Sequence, residues 1–162
     1  MAEAAGDSGG VTFVPALTGL GAPHWQPEAR GTLFGLTRGT SRGNIAQATL
    51  EAIAFQVRQV FDLFGSDAGL GCSSLAVDGG ASSNDRLMQL QADCIGTKVL
   101  RSRTSQVTAL GAAYLAGLGA GVWSSLDELR SLTKPEREFA PGAFDETLYH
   151  RWGRAVELTK QF

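Results

Sequence analysis

A chain of 162 residues with 43 % hydrophobic and 19 % charged residues is long enough for one domain with a core and too apolar to be disordered. A formal net charge of −2 gives no electrostatic ground for binding nucleic acid or an anionic membrane, and no apolar run approaches a membrane span. Two cysteines, Cys72 and Cys94, are too few for a disulfide framework, and no Cys/His grouping has zinc spacing, so a reducing, cytoplasmic setting without a protein-held metal is expected.

Residues 1–10 are small and polar, lack the basic and apolar regions of a signal peptide, and are expected to be a flexible N-terminus. Val11–Val14 reads as a short β-type run ending at Pro15. From Thr18 to Gly31 the glycines and prolines argue against a regular element. A loop of that length inside a compact domain is usually functional or an interface. Trp25 is the residue expected to pin it. His24 has no acid or nucleophile near it in sequence and reads as packed or solvent-facing rather than catalytic.

Thr32–Leu36 reads as a strand, and Thr40 or Ser41 opens a helix. Ala46, Leu50, Ile53, Ala54, Val57, Val60, Phe61 and Phe64 recur at spacings of three and four, an apolar stripe along one face. Gln47, Glu51, Arg58, Gln59 and Asp62 mark the wetter side, where Glu51 and Arg58 read as solvated charges rather than catalytic ones. Gly65 is expected to end this helix, with a loop over Ser66–Ser73 beyond it.

Leu75–Asn84 holds the most informative pattern. An apolar strand over Ser74–Val77 stops at Gly79 and Gly80 and restarts as a helix. Ser82 or Ser83 is expected to cap that helix, with Asp85 in its first turn. Glycine lets a ligand approach the main chain closely, and the following helix points unpaired N–H groups at the same place. In open α/β sheets ligands bind at the carboxyl ends of strands. On these ten residues alone an ordinary βα turn accounts for the pattern slightly better than a ligand site does.

The helix runs through Leu87, Met88, Leu90, Ala92, Cys94 and Ile95 to Gly96. Thr97–Leu100 is a further strand. Arg101–Gln106 reads as a polar link whose two arginines are more simply solvated than phosphate-bound. The next helix, about Val107–Leu118, carries Gly111 and Gly117, each costing about 1 kcal/mol relative to alanine. That cost makes sense where another backbone or a ligand passes close by. Ser125–Glu128 resembles a capping box. Lys134–Ala143 reads as a charged connection, and Asp145 caps a last helix bearing Leu148, Tyr149, Trp152, Ala155, Val156 and Thr159. The order βαβαβα after an N-terminal β-containing piece implies an α/β layer fold with a largely parallel sheet.

Three stretches carry a family resemblance. Gly31–Leu36, seven residues, Asn44–Ile45, two residues and Ala48–Glu51 together resemble the C-terminal signature of the FGGY family of carbohydrate kinases. Phe13–Trp25 with Ala29–Gly31 is similar to the glycerol kinases of that family rather than to its xylulose or gluconate kinases. Val77–Asn84, followed by Val107–Gly117, resembles the adenosine motif and next helix of the actin-like ATPase (ribonuclease H-like) fold. The resemblance runs from about Val11 to the last helix.

The resemblance implies a partial, incomplete C-terminal nucleotide-binding domain over residues 11–162, using ATP or ADP with Mg2+ and belonging to an enzyme that phosphorylates glycerol. The residues matching the family's nucleotide contacts are Gly80, against the adenosine and phosphate side, and Asn84, facing adenine; Gly79 allows the same close approach. Asp78 is expected to hold the loop rather than ligate metal. The family's general-base aspartate, its phosphate loops and its glycerol contacts find no match in Met1–Gly31. The chain is therefore expected to contain no catalytic residue, to be inactive alone, and to meet glycerol only in a full-length or complemented enzyme. The alternatives are a fragment of another FGGY sugar kinase, a structural subunit complementing a separate N-terminal half or self-associating as a homo-oligomer through an unpaired sheet edge, and a stand-alone nucleotide-binding module. No nucleic-acid or membrane partner is expected.

Overall fold

The computed structural model describes residues 1–68 and 72–161. Ala2–Ala5 form a short helix, α1, and Asn44 Nδ2 donates to the Asp7 carbonyl at 3.0 Å. β1 (Thr12–Val14) pairs antiparallel with β2 (Thr32–Phe34), Phe13 opposite Leu33. Between them the loop folds back on itself through paired main-chain bonds between Leu20 and Gln26, both 2.9 Å. Trp25 does not anchor it: the indole is 74 % exposed. Buried Leu20 and Ala29 do, because they reach the core, and His24 is packed, with Nε2 3.2 Å from Gln59 Oε1.

The expected long helix is α2, Arg42–Ala68. Its start is reciprocal, Asn44 N–H donating to Ser41 Oγ at 3.2 Å and Ser41 N–H donating to Asn44 Oδ1 at 2.9 Å. Gly65 does not end the helix. Its φ is not positive, so it never takes the left-handed form that makes glycine a helix terminator. The expected loop thus loses Ser66–Ala68 to α2, and residues 69–71 lie outside the described residues.

The polar side of α2 is not uniformly wet either. Gln47 and Glu51 are buried, with Gln47 Nε2 donating to Glu51 at 3.0 Å and Arg86 Nε donating to Gln47 at 2.7 Å. Arg58 pairs with Glu146 at 2.9 Å and lies 4.2 Å over the Tyr149 ring. A helix clasped by neighbours on several sides buries polar residues too, and does so only where each finds a partner.

β3 (Ser74–Val77) runs parallel to β4 (Lys98–Ser102) through α3 (Asp85–Ile95), which ends at Gly96 with φ 63° as expected. After α4 (Val107–Gly119) and α5 (Leu126–Leu132), β5 (Pro135–Phe139) pairs antiparallel with β4, and α6 (Glu146–Thr159) follows Asp145, whose carboxylate caps it. The sheet order is β3-β4-β5. β5 replaces part of the connection expected over Lys134–Ala143. Pairing on one edge of β4 leaves four of its five residues exposed, so it shows no hydrophobic alternation, and its proline stands at the first position, where an edge strand tolerates it.

The core has two parts with α2 between them. One joins Val14, Phe55, Cys94, Trp152 and Val156, the other Leu87, Met88, Val99 and Phe139. Burial in the first pushes the Cys94 thiol up to about 12.

Candidate functional site

β3 and β4 are parallel and in register from Ser74↔Lys98 to Val77↔Arg101, so both present their carboxyl ends at one end of the sheet. The Gly79–Asn84 turn leaves from there. Gly79 has φ 81° and ψ 177°, a conformation essentially closed to residues with a Cβ. Gly80 starts a 3₁₀ turn, Gly80–Ser83, with no positive φ, and a Cβ on it would meet nothing within 4 Å. Backbone geometry thus requires the first glycine, while nothing in this chain requires the second.

The two serines hold the turn instead of capping α3. Ser82 Oγ donates to the Gly79 carbonyl and Ser83 Oγ to the Gly80 carbonyl, each at 2.7 Å. The cap is Asn84, whose Oδ1 accepts from Leu87 N–H at 3.1 Å. A serine one or two residues earlier sits in a turn already closed by its own hydroxyl, so only Asn84 reaches the third helical N–H. Capping also fixes the amide orientation: the acceptor is used, and Nδ2, in an exposed residue, is left as a donor. Asp85 stands in the first turn of α3, as expected.

Arg101 belongs to β4 and is not solvated. Its Nη1 donates to the Ser82 carbonyl at 3.1 Å and to Asp85 at 2.7 Å, Nε pairs with Glu136 at 3.3 Å, and the guanidinium lies 5.5 Å over the Phe139 ring. Arg137 pairs with the other Asp85 oxygen. The Arg101 hydrogen bond, helped by the charge of Arg137, holds the Asp85 carboxyl below the usual carboxylate range. A depressed carboxyl stabilises the fold above its unfolded pKa, about 3.9, and the contribution is lost as pH falls through the lower folded value. Arg101→Met keeps the apolar stem but removes the clasp. Amide exchange over residues 80–84 is then expected to speed up about tenfold at neutral pH while α6 is unaffected; equal exchange in both proteins would exclude the clasp.

A cleft of about 540 Å³ lies on the sheet face under α4, lined by Ala76, Leu100, Val107, Leu110 and Tyr114, with Arg103 and Lys134 also on its wall. Gly79, Gly80 and Asn84 share one turn but do not line this cleft; Asp78 does, and it is exposed. Asp78 makes no hydrogen bond to the turn among the described residues, so the serines and Arg101 have the holding role expected of it. Gly111 lines the cleft, whereas Gly117 makes room for a side chain rather than a backbone or ligand: a Cβ there would stand 2.0 Å from the Trp123 ring. Among the described residues no group of three His, Cys, Asp or Glu side chains could hold a metal, and no helix is long and apolar enough to cross a membrane.

Residues 1–120 match the model of the FGGY family of carbohydrate kinases, C-terminal domain. The chain is 56 % identical over 160 residues to a glycerol kinase of Pseudomonas putida (strain F1) and 48 % identical over 160 residues to one of Saccharolobus islandicus (strain M.14.25), covering 96 % and 97 % of this chain. It spans about a third of these curated relatives, 32 % of each. The crystal structure of Plasmodium falciparum glycerol kinase with ADP superposes with a TM-score of 0.86 at 40 % identity, over 98 % of this chain and 32 % of that one. A xylulose kinase from Lactobacillus acidophilus, at 23 % identity and a TM-score of 0.73 over 95 % of this chain and 31 % of its own, shares the fold.

Proposed function

The chain belongs to the FGGY family of carbohydrate kinases through the C-terminal domain, and on that premise we propose that residues 11–162 are the incomplete nucleotide-binding domain of a glycerol kinase. The observation that carries this reading is Gly80. It is exposed at the carboxyl end of the parallel pair, no protein atom would touch its Cβ, and its backbone allows any residue. Open backbone kept free of a side chain is what a ligand lying on the main chain uses. The ADP in the Plasmodium falciparum relative supplies the ligand class.

In this reading ADP or ATP lies on the Gly79–Gly80 main chain, and Asn84 Nδ2 donates to a ring nitrogen at the adenine edge. Its Oδ1, committed to Leu87 N–H, takes no part. Mg2+ would reach the site with the phosphates: the described residues offer no carboxylate set for it, and no step runs through it here. In the complete enzyme ATP phosphorylates a terminal hydroxyl of glycerol. That transfer depends on phosphate loops and a positioned base, whose family counterparts find no match in Met1–Gly31, so residues 11–162 by themselves bind nucleotide without turning it over.

Titration calorimetry with ADP tests this. Saturating heat is expected with a Kd of about 1 mM, near −4.1 kcal/mol, because only part of the adenosine site is present. No heat at about 10 mM ligand would end the nucleotide reading, and glycerol-dependent ATP turnover by the purified chain would end the claim of inactivity.

A further inference from the structure

The turn from Gly79 to Asn84 offers free donors and has most of its acceptors already in use. The Gly79 carbonyl accepts from Ser82 N–H at 3.2 Å and from Ser82 Oγ at 2.7 Å. The Gly80 carbonyl accepts from Ser83 Oγ at 2.7 Å, and the Ala81 carbonyl from Asn84 N–H at 3.2 Å. Arg101 donates to the Ser82 carbonyl at 3.1 Å, and Met88 N–H to the Asn84 carbonyl at 3.0 Å. Ser83 is the one residue of the six whose carbonyl has no such bond among the described residues. The donors are distributed the opposite way. Gly80 and Ala81 head the 3₁₀ turn, where no carbonyl within the turn stands far enough back to take their N–H groups. The Asn84 side chain repeats the division: Oδ1 is committed to Leu87 N–H at 3.1 Å, and Nδ2 keeps its hydrogens among the described residues.

Such a surface has a consequence for which base it takes. Adenine carries an amine at C6, a donor, whereas a 6-oxo purine carries an acceptor there. N3 and N7 accept in both, and N1 accepts only in adenine. Discrimination is strong where the wrong ligand leaves a polar group of the site unpaired. To select the amine, the site needs an acceptor facing it. An asparagine amide can supply donor and acceptor together, but here the acceptor end caps α3. We infer that Asn84 meets the base as a lone donor to N7 or N3, so that this chain takes a purine nucleoside diphosphate with a 6-oxo group as readily as one with a 6-amine. At N7 the 6-oxo oxygen lies alongside as a second acceptor for the same donor surface, whereas the amine finds no partner there. Asn84 thus determines that a purine is held and not which purine. This specificity rests on nucleotide binding at Gly79–Asn84.

The test is a pair of NMR titrations of this protein, following the amides of residues 79–84, one with ADP and one with inosine 5′-diphosphate. The two ligands differ only in the 6-amine and N1 of one against the 6-oxo group and N1–H of the other. The Kd for inosine 5′-diphosphate should be no more than about threefold above that for ADP, itself about 1 mM. A larger preference for ADP means that the amine or N1 is contacted and overturns the inference, while leaving nucleotide binding itself standing. Saturation by neither ligand at about 10 mM ends the nucleotide reading and this inference with it. Asn84→Ser keeps a cap for α3 but removes the amide donor. It should weaken both ligands alike, by about tenfold. Unequal losses, or no loss, in a variant shown to be folded by circular dichroism overturn the inference as well. The comparison of the two ligands in the unaltered protein stands whether or not the variant folds.

Discussion

Trp152→Ala should cost about 3–5 kcal/mol from lost burial and the cavity left behind. Trp152 is 1 % exposed, among the largest fully buried side chains, and its ring lies 5.7 Å from Phe55 and stacks on Tyr149 at 6.1 Å. Its Nε1 also donates to the Phe13 carbonyl at 2.9 Å, the bond that ties α6 to β1 across the chain. Leaving that carbonyl without a partner adds about 1–3 kcal/mol. Against a total of about 5–15 kcal/mol for a domain, the variant stands near its unfolding threshold at room temperature. Trp152→Phe keeps a ring but not the donor and should lose about 1–3 kcal/mol. Urea midpoints at constant slope measure both. A loss below about 1 kcal/mol for alanine would mean that α6 is not part of the core.

The largest expected effect on binding is at Asn84 and Gly80, where cap and ligand contact separate. Asn84→Asp keeps an oxygen for Leu87 N–H and places a negative charge at a helix start, which is favourable. Stability should be unchanged, while loss of the Nδ2 donor at the adenine edge, replaced by an acceptor-only carboxylate, weakens ADP binding about tenfold or more. Asn84→Ala loses both roles and adds a stability cost of about 1 kcal/mol. Gly80→Ala should leave the fold intact, since its Cβ meets open space, and still remove ADP binding at millimolar ligand. Thermal unfolding and ADP calorimetry on the three variants separate the roles. Unchanged ADP affinity in folded Gly80→Ala would show that no ligand lies on that backbone.

Much of this was readable locally. The helix through Ala46 to Phe64, the Ser125 and Asp145 caps and the Gly96 terminator each follow from spacing or side-chain chemistry within a few residues, and each has its structural counterpart, although of the apolar stripe on that helix only Ala54 is buried while Val60 and Phe64 are exposed. The family resemblance rests on equally local runs and is matched by the family model and by the glycerol kinases. What misled was competition between neighbours. Ser82, Ser83 and Asn84 are all cap formers, and local rules do not say which one the turn uses up first. Trp25 is large and apolar, but a loop held by main-chain pairing and by Leu20 does not need it.

By itself, the sequence determined the order of the α/β elements apart from α1 and β5, the membership of the FGGY family and a candidate turn at Gly79–Asn84. Only the tertiary structure decided the rest. Arg101 is bound to Asp85 and the Ser82 carbonyl, Glu51 is buried, β5 exists, and one glycine of the pair is required by backbone while the other is not. Propensity and periodicity act over a few residues. Burial, charge pairing and strand edges depend on which distant segments meet, and Arg101 finds Asp85 sixteen residues away only once β4 lies beside β3.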